Sequence, residues 1–110
     1  MESCIFCKIA AGEIPTTFIL QDELAVSFHD VEPQAPVHAL VVPRRHIASL
    51  AEARDPQLQG HLLDFARQTA EKIGLAQYRL VINTGRDAGQ SVFHLHLHIL
   101  GGRKMDWPPG

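Results

Sequence analysis

The stretch Ser91-Val92-Phe93-His94-Leu95-His96-Leu97-His98-Ile99-Leu100 restricts this chain more than any other. With the period of two of a β-strand, His94, His96 and His98 share one face, and Phe93, Leu95, Leu97 and Ile99 share the other. A helix, turning about 100° per residue, would scatter the imidazoles among the leucines. A strand gives one apolar face and a row of imidazoles spaced roughly 6.5–7 Å apart. Three roles suit such a row. It can be a half-exposed strand that happens to carry histidines. It can give two ligands to a zinc ion, provided a further donor lies near. It can also attack phosphorus, with a neutral imidazole as nucleophile. The preceding residues, Asn83 to Ser91, form a glycine-punctuated loop suited to holding a phosphate, and this favours the third role.

With 110 residues the chain has room for one domain spanning 1–110 and one core. Its 45% hydrophobic and 20% charged residues are those of an ordinary globular protein, so its seven histidines point to chemistry. A formal net charge of -2 weighs against a nucleic acid polymer as partner. Met1-Glu2-Ser3-Cys4 has no basic start followed by an apolar stretch, and no run approaches the ~18 apolar residues of a membrane span. The expectation is a cytoplasmic protein with no membrane association, in which Cys4 and Cys7 are reduced thiols or metal ligands.

Along the chain, Cys4 to Ala11 is expected as a short helix stopped by Gly12 and Pro15. Its Cys-x-x-Cys spacing is half of a tetrahedral zinc site, or else two small buried hydrophobes. Thr17–Gln21 and Leu24–His29 form a hairpin turning at Asp22-Glu23. Asp30 then opens a loop stiffened by Pro33 and Pro36, a suitable place either to receive a ligand hydroxyl or merely to cap the loop. His38–Pro43 is a central strand, and Arg44-Arg45 a solvated turn. The one long helix runs from Asp55, an N-cap followed by Pro56, to Ile73 before Gly74. Leu58, Leu62, Phe65, Ala66, Thr69 and Ile73 form its buried stripe, leaving His61 and Arg67 at the surface. Tyr78–Asn83 is the fourth strand and the histidine stretch the fifth. Gly85 and Gly89 let backbone N–H groups approach an anion, and Ser91 adds a hydroxyl.

From about Cys4 to Trp107, and above all in Gly89-Gln90-Ser91-Val92-Phe93-His94-Leu95-His96-Leu97-His98-Ile99-Leu100-Gly101-Gly102-Arg103, the chain resembles the histidine triad (HIT) family, more narrowly its nucleotide-binding Hint branch. The resemblance implies an α+β fold: a five-stranded, mostly antiparallel sheet with one long and one short helix. It also implies a homodimer that merges two sheets into ten strands, with tail 101–110 near the partner's active site. The implied activity is hydrolysis of the P–N bond of purine nucleoside 5′-phosphoramidates, including aminoacyl-adenylates, releasing AMP or GMP. His96 would form a nucleotidyl-histidine, with His98 and Ser91 contacting phosphate oxygens and assisting the departing amine. His38 would be a fourth histidine steadying the attacking ring, and His94 a positioning residue. For the nucleotide, the resemblance implies Asp30 at the ribose hydroxyls, Val31 against the base and Asn83 at ribose or phosphate. Gly89, Gln90 and Ser91 would surround the α-phosphate, and Trp107 would reach the partner's site. Ala88 stands where many relatives carry a second glycine. No cofactor is implied for catalysis; a structural zinc would take Cys4, Cys7, His46 and His94. Three readings stand beside this one: a dinucleoside polyphosphate hydrolase, a regulatory nucleotide-binding module, and a zinc-dependent hydrolase using the histidine row.

Overall fold

Asp55 starts the long helix. Its carboxylate accepts from the N–H groups of Gln57 (3.0 Å) and Leu58 (3.3 Å), and Pro56 takes the first helical position, where no N–H is needed. The helix runs Pro56–Lys72 (α2) and ends where Gly74 adopts a left-handed φ of 77°. The computed structural model describes residues 3–110; Met1 and Glu2, part of the start inspected above for a leader, lie outside the described residues. A short helix, Ile5–Ala10 (α1), precedes the strands Leu20–Gln21 (β1), Ala25–His29 (β2) and Val37–Pro43 (β3). Tyr78–Val81 (β4) and Leu97–Gly101 (β5) follow α2. The five strands form one sheet in the order β1-β2-β3-β5-β4, and every pairing is antiparallel.

Each face of the sheet carries its own core. Ala25, Ala39, Val41, Leu97 and Ile99 pack with Leu95 under Leu58, Leu62, Phe65, Ala66 and Ala70 of α2. On the opposite face Val26, Phe28, Leu40 and Val42 meet Phe6, Ile9 and Ala10 of α1. Burial of each larger apolar side chain here is worth about 1.5–3 kcal/mol. A polar thread crosses the first core: Leu20 N–H donates to Ser27 Oγ (3.2 Å), Ser27 Oγ–H to Thr69 Oγ (2.9 Å), and Thr69 Oγ–H to Phe65 O (2.8 Å).

The histidine stretch is less regular than its alternation suggests. Its ladder with β3 stops at the pair Val41–Leu97. The next hydrogen-bonded pair, two residues on, would set Leu95 against Pro43, which has no N–H and whose carbonyl accepts from the His94 ring (2.8 Å). Leu95 N–H donates instead to Ile47 O (2.7 Å). With the pairing lost, Phe93 turns outward and is 52% exposed instead of joining the core. The first, second and fourth strands are also shorter than expected; the second starts only at Ala25, because Asp22 Oδ1 caps the hairpin turn by accepting from Leu24 and Ala25 N–H. Arg44, expected in a solvated turn, binds Asp22 O through Nε and Ala10 O through Nη1, both at 2.7 Å, and so ties α1 to the hairpin. His61 is not free at the surface either, since its Nε2 lies 2.7 Å from Asp22 Oδ2.

Candidate active site

The sheet face that carries α1 opens into a cleft of about 740 Å³. Ile5, Phe6, Ile9, Ile14 and Phe28 give it apolar walls, while Asp30, His38, Ser91, His96 and His98 supply its polar part. Val31 also lines it and is 94% exposed at the rim. Of the residues singled out in the sequence, the fold thus gathers Asp30, Val31, His38, Ser91, His96 and His98 around one space.

The hydrogen bonds assign a tautomer to each ring. His96 Nδ1 lies 2.7 Å from His94 O. A carbonyl only accepts, so Nδ1 carries the proton and Nε2 keeps its lone pair. No buried side-chain nitrogen or oxygen among the described residues lacks a partner. His96 Nε2 has none, so this atom is the part of a nearly buried ring that reaches the cleft. Phe6 packs edge-on against the same ring, with centroids 5.0 Å apart.

Similar reasoning fixes His38 and His98. Gln34 N–H donates to His38 Nδ1 (3.0 Å), so the His38 proton sits on Nε2. That nitrogen donates to His98 Nδ1 at 2.9 Å and stands 3.5 Å from Asp30 Oδ2. His98 is left with Nε2–H as a donor toward the cleft. His38 therefore acts on His98; the contact with the His96 ring that the resemblance implied is not made. Burial, then the neighbouring His96 and His38, push the His98 imidazole down to about 4, with Asp30 partly opposing. Burial also lowers His38, again against Asp30. Near neutral pH His98 is an uncharged hydrogen-bond donor, and it holds no spare proton to hand to a leaving group.

The glycine loop is closed on itself. Gly89 N–H donates to Arg86 O and Gln90 N–H to Gly85 O, both at 3.0 Å, so neither is free for an anion in this structure. Gln90 is 2% exposed: its amide accepts from Gly85 N–H (2.9 Å) and donates to Ala48 O (2.7 Å) and Val92 O (3.1 Å). Its side chain pins the loop beneath the cleft. Asn83 lies against Gly89, whose φ of 101° favours glycine. Neither Asn83, Gly89 nor Gln90 lines the cleft, which leaves Ser91 as the loop's polar contribution to it. Trp107 is 82% exposed and outside the cleft of its own chain; the tail before it is held by Arg79, which donates to Asp106 O (2.7 Å).

Behind the cleft, Cys4, Cys7, His46 and His94 bring four donor atoms within 4.8 Å of one another. His94 Nδ1 lies 3.3 Å from Cys4 Sγ and 3.5 Å from Cys7 Sγ, which in turn is 3.3 Å from His46 Nδ1. Tetrahedral zinc with ordinary bond lengths separates its sulfur and nitrogen ligands by about 3.6 Å. Because His94 Nε2–H is given to Pro43 O, its Nδ1 lone pair faces the thiols, as a ligand requires. The donor set fits zinc. Asp30, His38 and His98 also cluster within 4.8 Å, but the donor at His38 Nδ1 keeps a proton on Nε2, and those residues form a hydrogen-bond chain instead. Sequence reasoning missed the roles of Gln34 and Arg44, because a backbone N–H and a surface-type arginine leave no signal in composition or spacing.

Comparison with known proteins agrees with this geometry. The HIT domain pattern matches residues 11–105. An uncharacterized HIT-like protein of Synechocystis sp. is 51% identical over 99% of this chain and 98% of its own length, and one of Synechococcus elongatus matches equally well. Among solved structures, a HIT family hydrolase from Legionella pneumophila is 46% identical, covers 98% of this chain and 100% of its own, and superposes with a TM-score of 0.93. A histidine triad protein from Clostridium difficile is 41% identical, covers 96% of both chains and gives a TM-score of 0.91. A five-stranded antiparallel sheet with two helices, an alternating histidine trio leading into β5 and this match over most of the sequence make the chain a member of the HIT domain family.

Proposed function

We propose that the chain hydrolyses purine nucleoside 5′-phosphoramidates through a covalent intermediate on His96. The observation that carries this reading is the bond from His96 Nδ1–H to His94 O, which leaves Nε2 as the one unpartnered nitrogen of that ring at the cleft. The apolar walls suit a base and Asp30 suits ribose hydroxyls, while His98 Nε2–H and the Ser91 hydroxyl suit phosphoryl oxygens. In the first displacement the Nε2–P bond forms and the P–N bond breaks. The amine leaves with its bonding pair and takes a proton from solvent. Water then attacks phosphorus, the P–Nε2 bond breaks, and AMP or GMP departs as the water's proton returns to solvent. No metal takes part in either step; zinc, when bound by Cys4, Cys7, His46 and His94, would supply structural cross-linking. The free edge of β4 and the exposed Trp107 support pairing of two copies, which sedimentation would detect.

The test is rapid mixing with adenosine 5′-phosphoramidate, quenching in denaturant at neutral pH, and mass spectrometry. A transient AMP adduct on His96 is expected, absent in His96→Asn, which should keep AMP binding and lose hydrolysis by a factor of about 10³ or more. Hydrolysis that persists in His96→Asn, or faster turnover of a dinucleoside polyphosphate than of the phosphoramidate, would refute the assignment.

A further inference from the structure

The helix α1 has only six residues, too few to hold its shape alone, so its position depends on what fastens it. At its end Arg44 Nη1 holds Ala10 O, and Phe6, Ile9 and Ala10 rest on the sheet. At its start stand Cys4, the N-cap, and Cys7, one turn later. Their partners, His46 and His94, belong to the loop after β3 and to the histidine stretch. Without an ion, the two cysteines meet the two histidines through thiol–imidazole contacts of 3.3–3.5 Å, which are weak. The same first turn carries Ile5 and Phe6 into the cleft, and Ile9 follows them. One short helix thus offers two donors to the metal site and an apolar wall to the cleft.

We propose that a zinc ion held by Cys4, Cys7, His46 and His94 fixes the first turn of α1 as a wall of the nucleoside end of the cleft, so that zinc and nucleotide bind cooperatively. This rests on the nucleotide reading given above. The metal changes affinity for base and ribose, and the displacements at phosphorus do not pass through it. The coupling is reciprocal: whatever factor zinc adds to nucleoside affinity, the nucleoside adds to zinc affinity.

The full chain, stripped with a chelator and checked for folding by circular dichroism, is compared with the chain reloaded with one equivalent of zinc. Calorimetry measures binding of AMP and of adenosine, which lacks the phosphate. Zinc removal is expected to weaken both by about tenfold or more. Saturating adenosine should also slow transfer of zinc from the loaded protein to a chromophoric chelator, a measurement that stands even if the stripped chain unfolds. Equal affinities in both forms, zinc release indifferent to adenosine, or failure to take up one equivalent overturn the coupling alone. Dependence on zinc for AMP but not adenosine also overturns it, since the link would then run from His94 O to the phosphate end. Binding of AMP to neither form overturns the nucleotide reading, and this proposal with it.

Discussion

Replacing His98 by Asn isolates the cost of keeping that imidazole uncharged. The asparagine carbonyl stands near the position of Nδ1 and still accepts from His38 Nε2–H, while the titration is gone. The wild-type ring lies at about 4 because of burial, then His96 and His38, against the opposing pull of Asp30. In the unfolded chain it returns to about 6.5. Between these values the unfolded state binds more protons than the folded one, so stability rises with pH across the interval and is level above it. Each pH unit is worth about 1.4 kcal/mol, which over the interval amounts to on the order of 3 kcal/mol, and roughly 2 after allowing for solvent at the cleft. Urea unfolding of both proteins at steps from pH 7.5 to pH 4 measures it. Wild type is expected to lose about 2 kcal/mol more than His98→Asn over that range. Parallel curves, or an NMR titration of His98 centred near its ordinary value, would refute the reasoning.

Two further substitutions probe the frame around the site. Gln90→Leu keeps the volume but strands Gly85 N–H, Ala48 O and Val92 O; at about 1–3 kcal/mol for a buried group left unpaired, chemical denaturation should show a loss of at least 2 kcal/mol. Hydrogen exchange in residues 83–92 should quicken as the loop loosens. Thr69→Val removes the acceptor of the buried Ser27 hydroxyl and is expected to cost about 1–3 kcal/mol, read as a lowered urea midpoint with unchanged slope.

Much of this molecule was legible from local chemistry. Asp55, Pro56 and Gly74 bound α2 because capping and left-handed turns depend on adjacent residues. The alternation of histidine with apolar residues set Leu95, Leu97 and Ile99 beneath α2, because side chains on an extended backbone must alternate. The same alternation did not show where strand pairing stops. That was decided by Pro43, a residue distant in sequence with no N–H to offer and a carbonyl already engaged by His94.

The chemistry divides in the same way. Sequence alone determined which residue types are present and that three imidazoles stand near one glycine loop. Only the tertiary structure decided which nitrogen of each ring bears a proton, through His94 O, Pro43 O and Gln34 N–H. It also paired His38 with His98, 60 residues away, and turned Gln90 inward to hold the loop. Periodicity and capping are properties of neighbouring residues. A tautomer is a property of whatever donor or acceptor the fold brings to the other side of the ring.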